Sequence, residues 1–450
     1  MTNIIKLKKG LDIRLKGVAP LTVTSVRKSD EVALMPSSFT GLTPKVVVHE
    51  GDKVLAGDAL FVNKQCEKVR FASPVSGTVS AVVRGERRKV LKVVVKADEN
   101  QSYKDYDIQD VNSLSADDVI DKLCESGLFG FINQLPYDVS TTPEAKPKAI
   151  FVSALRDKPL AADFEFELQQ RGANDFQTGL TALSRIATVH LGIGRDQSSE
   201  CLRRAKNVEL TIYDGPCPAG NVGVQVNHTD PVNKGEVVWT VAPTAVIFFG
   251  RLFNTGHVDM HRLVAVCGSE VRKPTYVNAI VGQRISSLLG ENINNDDNVR
   301  IINGNVLTGR KCNVEDYLDA HASELTVIPE GDKSDEMLGW IMPRTNQFSV
   351  SRSYFSWLFG KKEYALDARI KGGQRHMIMS GEYDRVLPMD IYPEYLIKAI
   401  ISGDIDQQEA LGIYEVSPED FALAEFVDSS KLELQAIVRR GLDILRKENA

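Results

Sequence analysis

The chain has 450 residues, of which 43% are hydrophobic and 25% charged, and its formal net charge is −6. This length predicts three or four domains of about 100–150 residues each. The acidic balance argues against a nucleic-acid-binding protein, which would carry a strong basic excess. Charges interrupt every apolar run at the N-terminus, and no window approaches the ~20 apolar residues of a transmembrane helix. We therefore expect a soluble protein on the cytoplasmic side of the membrane.

The cysteines are spread widely along the chain, and the closest two are 16 residues apart. Structural zinc sites and iron–sulfur clusters need closely spaced cysteines. The sequence therefore predicts no metal site. The thiols expected to be reduced and structural are Cys66, Cys124, Cys201, Cys217, Cys267 and Cys312.

Residues 1–105 carry short strand patterns separated by Gly and Asp turns, which predicts a β-barrel domain of the biotinyl or lipoyl type. Such barrels can carry a prosthetic group on a lysine at a hairpin tip. Lys64 and Lys68 lie in the connection between the two turn-and-strand stretches 48–61 and 72–85. The methionines that normally flank a biotinylated lysine are absent. We therefore favour a docking module, and a carrier with a modified lysine is the alternative.

Residues 106–255 change to alternating strands and helices, which predicts an α/β domain with a parallel sheet. The glycine-containing loop 192–199 precedes a Ser-capped helix and could bind a phosphate. A dinucleotide-binding enzyme is therefore a further hypothesis. It ranks last, because no general base, nucleophile or metal cluster accompanies the loop.

The loop that follows the last of these strands, 214–223, contains two prolines and three glycines. Loops beyond the carboxyl ends of parallel strands often bind ligands in α/β folds. Cys217 lies in this loop, but no base is close to it in sequence, so we do not expect a reactive thiol. The ligand-loop candidates are Asp214, Pro216, Pro218 and Gly220.

Residues 256–330 show a strand–strand–helix–strand order, which predicts a small ubiquitin-like β-grasp sheet. His257 and His261 stand four residues apart, as two metal ligands on a helix would. Gly256 and the β-rich run that follows oppose a helix there, so we interpret them as surface histidines.

Residues 331–450 are predicted to form a helical domain, with amphipathic segments after Pro388. Upstream of them, the stretch 337–360 is rich in aromatic and aliphatic residues. It belongs either to a core or to an exposed surface that docks a partner or meets a membrane.

Several motifs, taken in order, resemble one family. They are KKGLD near the N-terminus, EGDKV and SPVSGTV in the barrel, and DKPLAAD, DGPCPAG and MPRTNQFSVSRSY further on. Together they are similar to the NqrA family of the Na⁺-translocating NADH:quinone reductases, over essentially the whole chain. The resemblance implies an α/β and α+β multidomain fold. Its parts would be a biotinyl-like barrel, a Rossmann-like domain, an SLBB-type β-grasp sheet and a helical C-terminal domain.

The resemblance also implies a function. Members of this family are peripheral proteins on the cytoplasmic face of the bacterial inner membrane. They belong to a six-subunit complex that couples reduction of ubiquinone by NADH to Na⁺ export. The NADH, flavin and iron–sulfur chemistry would lie in the other components. This chain would contact the neighbouring membrane component, NqrB, and help to form the quinone-reduction region.

Flavin-binding relatives of this family carry a glycine run after the sequence SGL and a four-cysteine cluster near the C-terminus. Here SGL is followed by FGFINQLPY, and the bulky Phe131 and Ile132 would block close approach of the backbone to a flavin phosphate. No cysteine follows Cys312. We therefore expect no redox cofactor, and the apolar loop becomes a quinone-contact region. Its candidate residues are Phe129, Phe131, Pro136 and Tyr137.

Overall fold

A computed structural model describes residues 3–170, 172–294, 298–332, 343–360 and 362–449. Its first hundred residues form short strands because Gly and Asp turns interrupt them. β3, β9, β8 and β5 form one antiparallel sheet in that order, and β4, β6 and β7 form another. Their apolar side chains share one core. The strands are β1 (Asn3–Lys6), β2 (Val23–Thr24), β3 (Glu31–Leu34), β4 (Pro44–Val46), β5 (Lys53–Val54), β6 (Ala59–Asn63), β7 (Cys66–Ala72), β8 (Gly77–Arg84) and β9 (Val90–Ala97).

The next part of the chain forms an α/β unit around a seven-stranded sheet, ordered β1-β14-β13-β12-β15-β10-β11. Strands β12 to β15 run parallel, which confirms the predicted parallel sheet, and β10 and β11 are antiparallel to their neighbours. The elements are α1 (Ala116–Glu125), β10 (Ile132–Leu135), β11 (Val139–Ser140), β12 (Ala149–Ser153), α2 (Phe164–Gln170), α3 (Ala173–Ser184), β13 (Thr188–Gly194), α4 (Glu200–Arg203), β14 (Glu209–Asp214), α5 (Val222–Thr229), β15 (Val238–Val241) and α6 (Pro243–Thr255).

Helix α6 is apolar almost all the way round, and it is buried because α3 packs against it. Two glycines allow the close approach of these helices. A Cβ on Gly179 would lie 2.1 Å from the Val246 carbonyl oxygen, and one on Gly250 would lie 1.7 Å from the Asp175 carbonyl oxygen. The two helix backbones therefore nearly touch at these positions.

The third unit has the predicted strand–strand–helix–strand order, extended by two further strands. Its sheet order is β19-β18-β20-β16-β17-β2. The apolar faces of its strands pack on α7, as in a β-grasp arrangement. The elements are β16 (His261–Cys267), β17 (Thr275–Ile280), α7 (Ile285–Leu289), β18 (Val299–Asn303), β19 (Arg310–Cys312) and β20 (Glu324–Pro329).

The N-terminal segment differs from the prediction, which placed all of residues 1–105 in the barrel. β1 pairs in parallel with β14 at the edge of the α/β sheet. β2 pairs in parallel with β17 of the β-grasp sheet. Only from β3 onward does the chain enter the barrel. Local sequence patterns cannot reveal such pairings, because each partner strand lies far away along the chain.

The C-terminal part is helical from Tyr383 onward, whereas the described residues of the predicted helical domain before it contain no α-helix. Its longest described helix packs one face into the core. The residues of α12 that are fully buried recur at helical spacing: Leu434, Val438, Leu442 and Leu445. The helices are α8 (Tyr383–Val386), α9 (Pro393–Ser402), α10 (Ile405–Ala410), α11 (Ala422–Val427) and α12 (Leu434–Glu448). None of the helices in the described ranges is both long and apolar enough to cross a bilayer.

Candidate functional site

A cleft opens where the parallel strands of the α/β sheet change direction. From β12 the chain winds outward to β13 and β14, and it then returns to the other side of β12 as β15. Ligands in open α/β sheets bind at such switch points, beyond the carboxyl ends of the strands. β12 ends here at Ser153 and β15 at Val241, and a cavity of about 330 Å³ lies beside them. Its lining includes Phe131, Arg156, Lys158, Gly220, His321 and Glu419.

The cleft is assembled from several parts of the molecule. The α/β unit supplies its floor, the segment before β20 supplies His321, and the C-terminal region supplies Glu419. A second cavity of about 390 Å³ shares Asn133, Asp138 and His321 with the first and reaches residues near β3 and β19. The site therefore exists only when these parts are folded together.

Arg156 is the cation nearest to the end of β12. Its Nη2 donates to Thr244 Oγ1 at 2.7 Å and lies 3.3 Å from Glu167 Oε2, and the hydroxyl of Thr244 donates to the same carboxylate at 2.9 Å. The guanidinium also lies 5.0 Å from the centre of the Phe164 ring. Nη1 is buried and has no hydrogen-bond partner among the described residues. This side of the guanidinium is enclosed, so a ligand would reach Nη1 only if the surrounding atoms moved.

Asp157 and Lys158 follow directly and fix the neighbouring loops. Asp157 Oδ2 accepts a hydrogen bond of 2.7 Å from the Gly220 amide, and burial raises the pKa of Asp157. Lys158 forms an ion pair with Glu419. Burial opposes its charge, but the nearby Glu419 carboxylate raises the pKa of Lys158 above its ordinary value. Two charged residues thus connect β12 to the ligand-loop and C-terminal regions.

The rings of Phe131 and His321 also line the cleft, and we call them the aromatic wall. Phe131 is 3% exposed, and its ring centre lies 5.4 Å from that of His321. His321 also meets Phe39 edge-on at 5.6 Å. Burial lowers the pKa of His321, so the imidazole is neutral at physiological pH. The lining of the cleft therefore combines largely buried aromatic rings with the Arg156 guanidinium.

Phe131 is the one quinone-contact candidate among the residues lining the described cleft. Phe129 is fully buried, with its ring centre 5.5 Å from that of Trp239. Pro136 is buried and follows a cis peptide bond. Tyr137 lies under the C-terminal helix, where its hydroxyl accepts a 3.2 Å hydrogen bond from Asn449 Nδ2.

Of the four ligand-loop candidates, only one lies in the lining of the cleft. Gly220 lines the cleft. Asp214 pairs with Arg195 at 2.6 Å, Pro216 lies against Gly10, and Pro218 is buried after a cis peptide bond. This loop mainly receives the N-terminal segment.

Two of the family-like motifs meet at that loop. The Leu11 amide donates to the Cys217 carbonyl at 2.7 Å, and the Cys217 amide donates to Asp12 Oδ1 at 3.0 Å. The KKGLD and DGPCPAG segments are therefore hydrogen-bonded to each other. Burial raises the pKa of the Cys217 thiol, which keeps it protonated and unreactive.

The other sequence candidates can also be placed. Lys64 begins an exposed turn between β6 and β7, and Lys68 lies 2.5 Å from Asp121. His257 follows the end of α6, whereas His261 begins β16, so they do not share a helix. The described residues contain no group of three or more His, Cys, Asp or Glu side chains able to hold a metal ion. Of the apolar stretch 337–360, positions 337–342 lie outside the described residues.

Sequence reasoning missed Arg156, Asp157, Lys158 and His321. A signal for the first three was present, because a run of charged residues follows the buried strand 149–153 after two intervening residues. Charges placed at the carboxyl end of a parallel strand point to a site there. His321 had no such signal, since it reaches the cleft from another unit.

The fold is that of a multidomain α/β protein with an N-terminal barrel, an α/β unit and a β-grasp unit, and its cleft is lined by the α/β unit, the β-grasp unit and the C-terminal region. Three family models match the chain in this order. They are described as the NqrA N-terminal barrel-sandwich hybrid domain (residues 5–98), the NqrA second alpha/beta domain (114–258) and the NQRA C-terminal domain, of SLBB type (263–314).

The chain belongs to the NqrA family of the Na⁺-translocating NADH-quinone reductases. It is 36% identical to the family member from Pasteurella multocida over 450 residues, which cover 99% of this chain and 100% of the relative. The Neisseria meningitidis serogroup B protein is 35% identical over 452 residues, and the Yersinia pestis bv. Antiqua protein is 34% identical over 450, with the same coverage.

Among solved structures, an NAD⁺-reducing [NiFe]-hydrogenase in the H₂-reduced state is similar at 12% identity. The match covers 68% of this chain and 55% of that one, with a TM-score of 0.32. This likeness is too weak to indicate a shared overall fold.

Proposed function

We propose that this chain is the peripheral NqrA component of a six-subunit complex that couples reduction of ubiquinone by NADH to Na⁺ export. Full-length similarity to proteins named as this component of the Na⁺-translocating NADH-quinone reductase supports the assignment. The chain would lie on the cytoplasmic face of the bacterial inner membrane, in contact with the membrane component NqrB. It would carry no redox cofactor, and NADH, flavins and iron–sulfur centres would belong to the other components.

We further propose that the cleft at the ends of β12 and β15 forms part of the quinone-reduction region. The observation that carries this proposal is that the Phe131 and His321 rings and the Arg156 guanidinium line the same cleft. A quinone head group is a flat apolar ring with carbonyl oxygens at its edge. An aromatic wall suits the ring, and a guanidinium suits a carbonyl that gains negative charge on reduction. Phe129, Pro136 and Tyr137 would act behind this wall, by holding the loop in place.

The loop geometry also supports a cleft without a bound flavin. Gly130 lies in the loop where flavin-binding relatives have their glycine run. Here a Cβ on Gly130 would lie 2.2 Å from Cε1 of Phe71 in the barrel. This glycine therefore serves packing between barrel and α/β unit, and Phe129 and Phe131 on either side are buried.

The test uses Arg156→Gln and Phe131→Leu in the assembled complex, because leucine preserves most of the buried volume. Each variant should lower kcat/KM for ubiquinone by about tenfold, since a charge-assisted hydrogen bond or a ring contact is lost. NADH oxidation with an artificial acceptor should not change. The exposed Arg204→Gln variant is the matched control. Ordinary quinone kinetics in both site variants would contradict this role of the cleft.

A modified-lysine carrier is the alternative function. One observation favours it, because Lys64 occupies an exposed turn between two paired barrel strands. A carrier predicts an increase in the intact mass of the purified chain that is abolished by Lys64→Arg. We expect the unmodified mass, and a mass increase located at Lys64 would favour the carrier instead.

A further inference from the structure

A short turn ahead of the C-terminal helices exposes a cluster of large apolar side chains. The 3₁₀ turn Phe355–Phe359 buries Ser356 and directs the others outward. Their exposed fractions are 56% for Phe355, 48% for Trp357, 60% for Leu358 and 58% for Phe359. Contiguous exposed apolar groups of this size mark an interaction surface. We call these four residues the aromatic turn.

The segment that carries the aromatic turn is cationic, although Asp12 lines a cavity together with Arg14, Trp357 and Lys362. The sequence contains no Asp or Glu between positions 343 and 362, although the whole chain has a net charge of −6. The guanidinium of Arg352 lies 5.7 Å from the Trp357 ring centre, and Lys362 Nζ lies 5.6 Å from that of Phe359. The positive charge therefore borders the apolar side chains directly.

The rest of the molecule holds the turn from behind. The Phe348 ring centre lies 5.6 Å from that of Tyr364 and 5.9 Å from that of Phe426. The Tyr364 amide in turn donates to the Arg14 carbonyl at 2.9 Å. Lys362 Nζ donates to the Thr345 carbonyl at 3.0 Å, which closes the loop across its base. The aromatic turn is therefore carried on a segment that ring contacts and hydrogen bonds hold in place.

We propose that the aromatic turn lies in the headgroup region of a bilayer that contains anionic phospholipids. Trp and Phe side chains favour the membrane–water interface, and neighbouring Arg and Lys are attracted to anionic headgroups. Charge complementarity favours an anionic lipid surface, because cations flank the apolar tip and residues 343–360 include no Asp or Glu. This inference rests on the proposed function, because it gives the peripheral protein its own contact with the membrane.

The experiment is co-sedimentation of the purified full chain with vesicles. The chain should bind vesicles of phosphatidylcholine with phosphatidylglycerol, bind pure phosphatidylcholine poorly, and dissociate as salt is added. The variant F355S/W357S/L358S/F359S should bind at least about tenfold more weakly. The control variant Y392S/Y395S removes two aromatic side chains that are 68% and 57% exposed at the start of α9, and it should bind normally.

A second variant, Arg352→Glu, leaves the apolar tip intact and should weaken binding to anionic vesicles alone. It keeps the test valid if the fourfold variant folds poorly. The proposal would be overturned if the wild-type chain did not bind anionic vesicles, or if the fourfold variant and Arg352→Glu both bound them as tightly as wild type. So would loss of co-purification with the membrane components in the fourfold variant without any vesicle binding, because the turn would then dock a protein. If the chain binds vesicles but never co-purifies with membrane components, the aromatic turn is a membrane contact and the proposed function is wrong.

Discussion

Arg156 is held in place by one side of its guanidinium and has an unpartnered donor on the other. Its Nη2 is committed to Thr244 and Glu167, while Nη1 is buried without a partner among the described residues. A buried donor without a partner costs free energy, typically about 1–3 kcal/mol. Under the proposed function, a quinone carbonyl that reached Nη1 would remove that cost, and the affinity of the cleft would then depend on this one hydrogen bond.

Asp420 is another residue whose burial has a measurable consequence. It is 1% exposed and accepts hydrogen bonds from the Ser417 amide and hydroxyl at 2.9 and 2.8 Å. Burial raises its pKa to about 7. The folded chain therefore binds a proton that the unfolded chain has lost, between about pH 4 and 7. This group makes stability fall as pH rises through that window, by up to about 1.4 kcal/mol per pH unit.

Asp420→Asn keeps an acceptor for Ser417 but removes the titration. We expect the free energy of unfolding to depend less steeply on pH between 5 and 7 in this variant than in wild type. Urea unfolding at several pH values measures the difference. The exposed Asp98→Asn variant is the control and should keep the wild-type slope. Equal slopes for Asp420→Asn and wild type would show that Asp420 is already ionised at low pH.

At the scale of elements, the contact between α3 and α6 is the tightest helix pair with a clear sequence cause. Gly179 and Gly250 let the backbones approach to distances that no side chain would permit. Alanine ordinarily stabilises a helix relative to glycine by about 1 kcal/mol. At these positions the clash with a backbone carbonyl must outweigh that gain.

Gly250→Ala should therefore destabilise the chain by at least about 2 kcal/mol, because α6 must move away from α3. The control is Gly373→Ala, whose added methyl group meets nothing within 4 Å. Thermal unfolding followed by circular dichroism compares the two. A melting temperature for Gly250→Ala equal to that of wild type would mean that the helices separate without cost.

Elements with a strong local pattern could be predicted from the sequence, and those without one could not. The parallel strands and α1, with Ser115 as its cap, follow from burial patterns and capping chemistry. β1 is short and mostly exposed, and only main-chain pairing with β14 makes it a strand. The cleft shows the same division. Arg156 to Lys158 follow a recognisable strand, whereas the approach of His321 depends on how two units pack.

At the scale of the whole molecule, the N-terminal segment connects the units. Gly10 is its central point. The Gly10 amide donates to the Arg385 carbonyl at 3.1 Å, and a Cβ there would lie 2.3 Å from the Cys217 carbonyl oxygen. Its φ of +146° also disfavours any side chain. The N-terminal, α/β and C-terminal regions therefore meet at a position that only glycine fits.

Gly10→Ala should lower the stability of the whole chain by at least about 2 kcal/mol, through strain and the lost close contact. Calorimetry should show a lower melting temperature for the main unfolding transition. A new minor transition at lower temperature, with the main one unchanged, is not expected. Gly51→Ala is the matched control, because Gly51 also has a positive φ of +93° but open space around it. Similar effects of the two substitutions would limit the role of Gly10 to its backbone conformation.

The pairing of β1 with β14 sets an order of events on the ribosome. Asn3 pairs with Thr211, so the first strand to be synthesised must wait for roughly two hundred further residues before its partner exists. The barrel strands, which are close in sequence, can pair during that interval. The N-terminal segment then adds to an edge of the finished α/β sheet. Completion of the cleft should be a still later step, because its residue Glu419 is translated near the end of the chain.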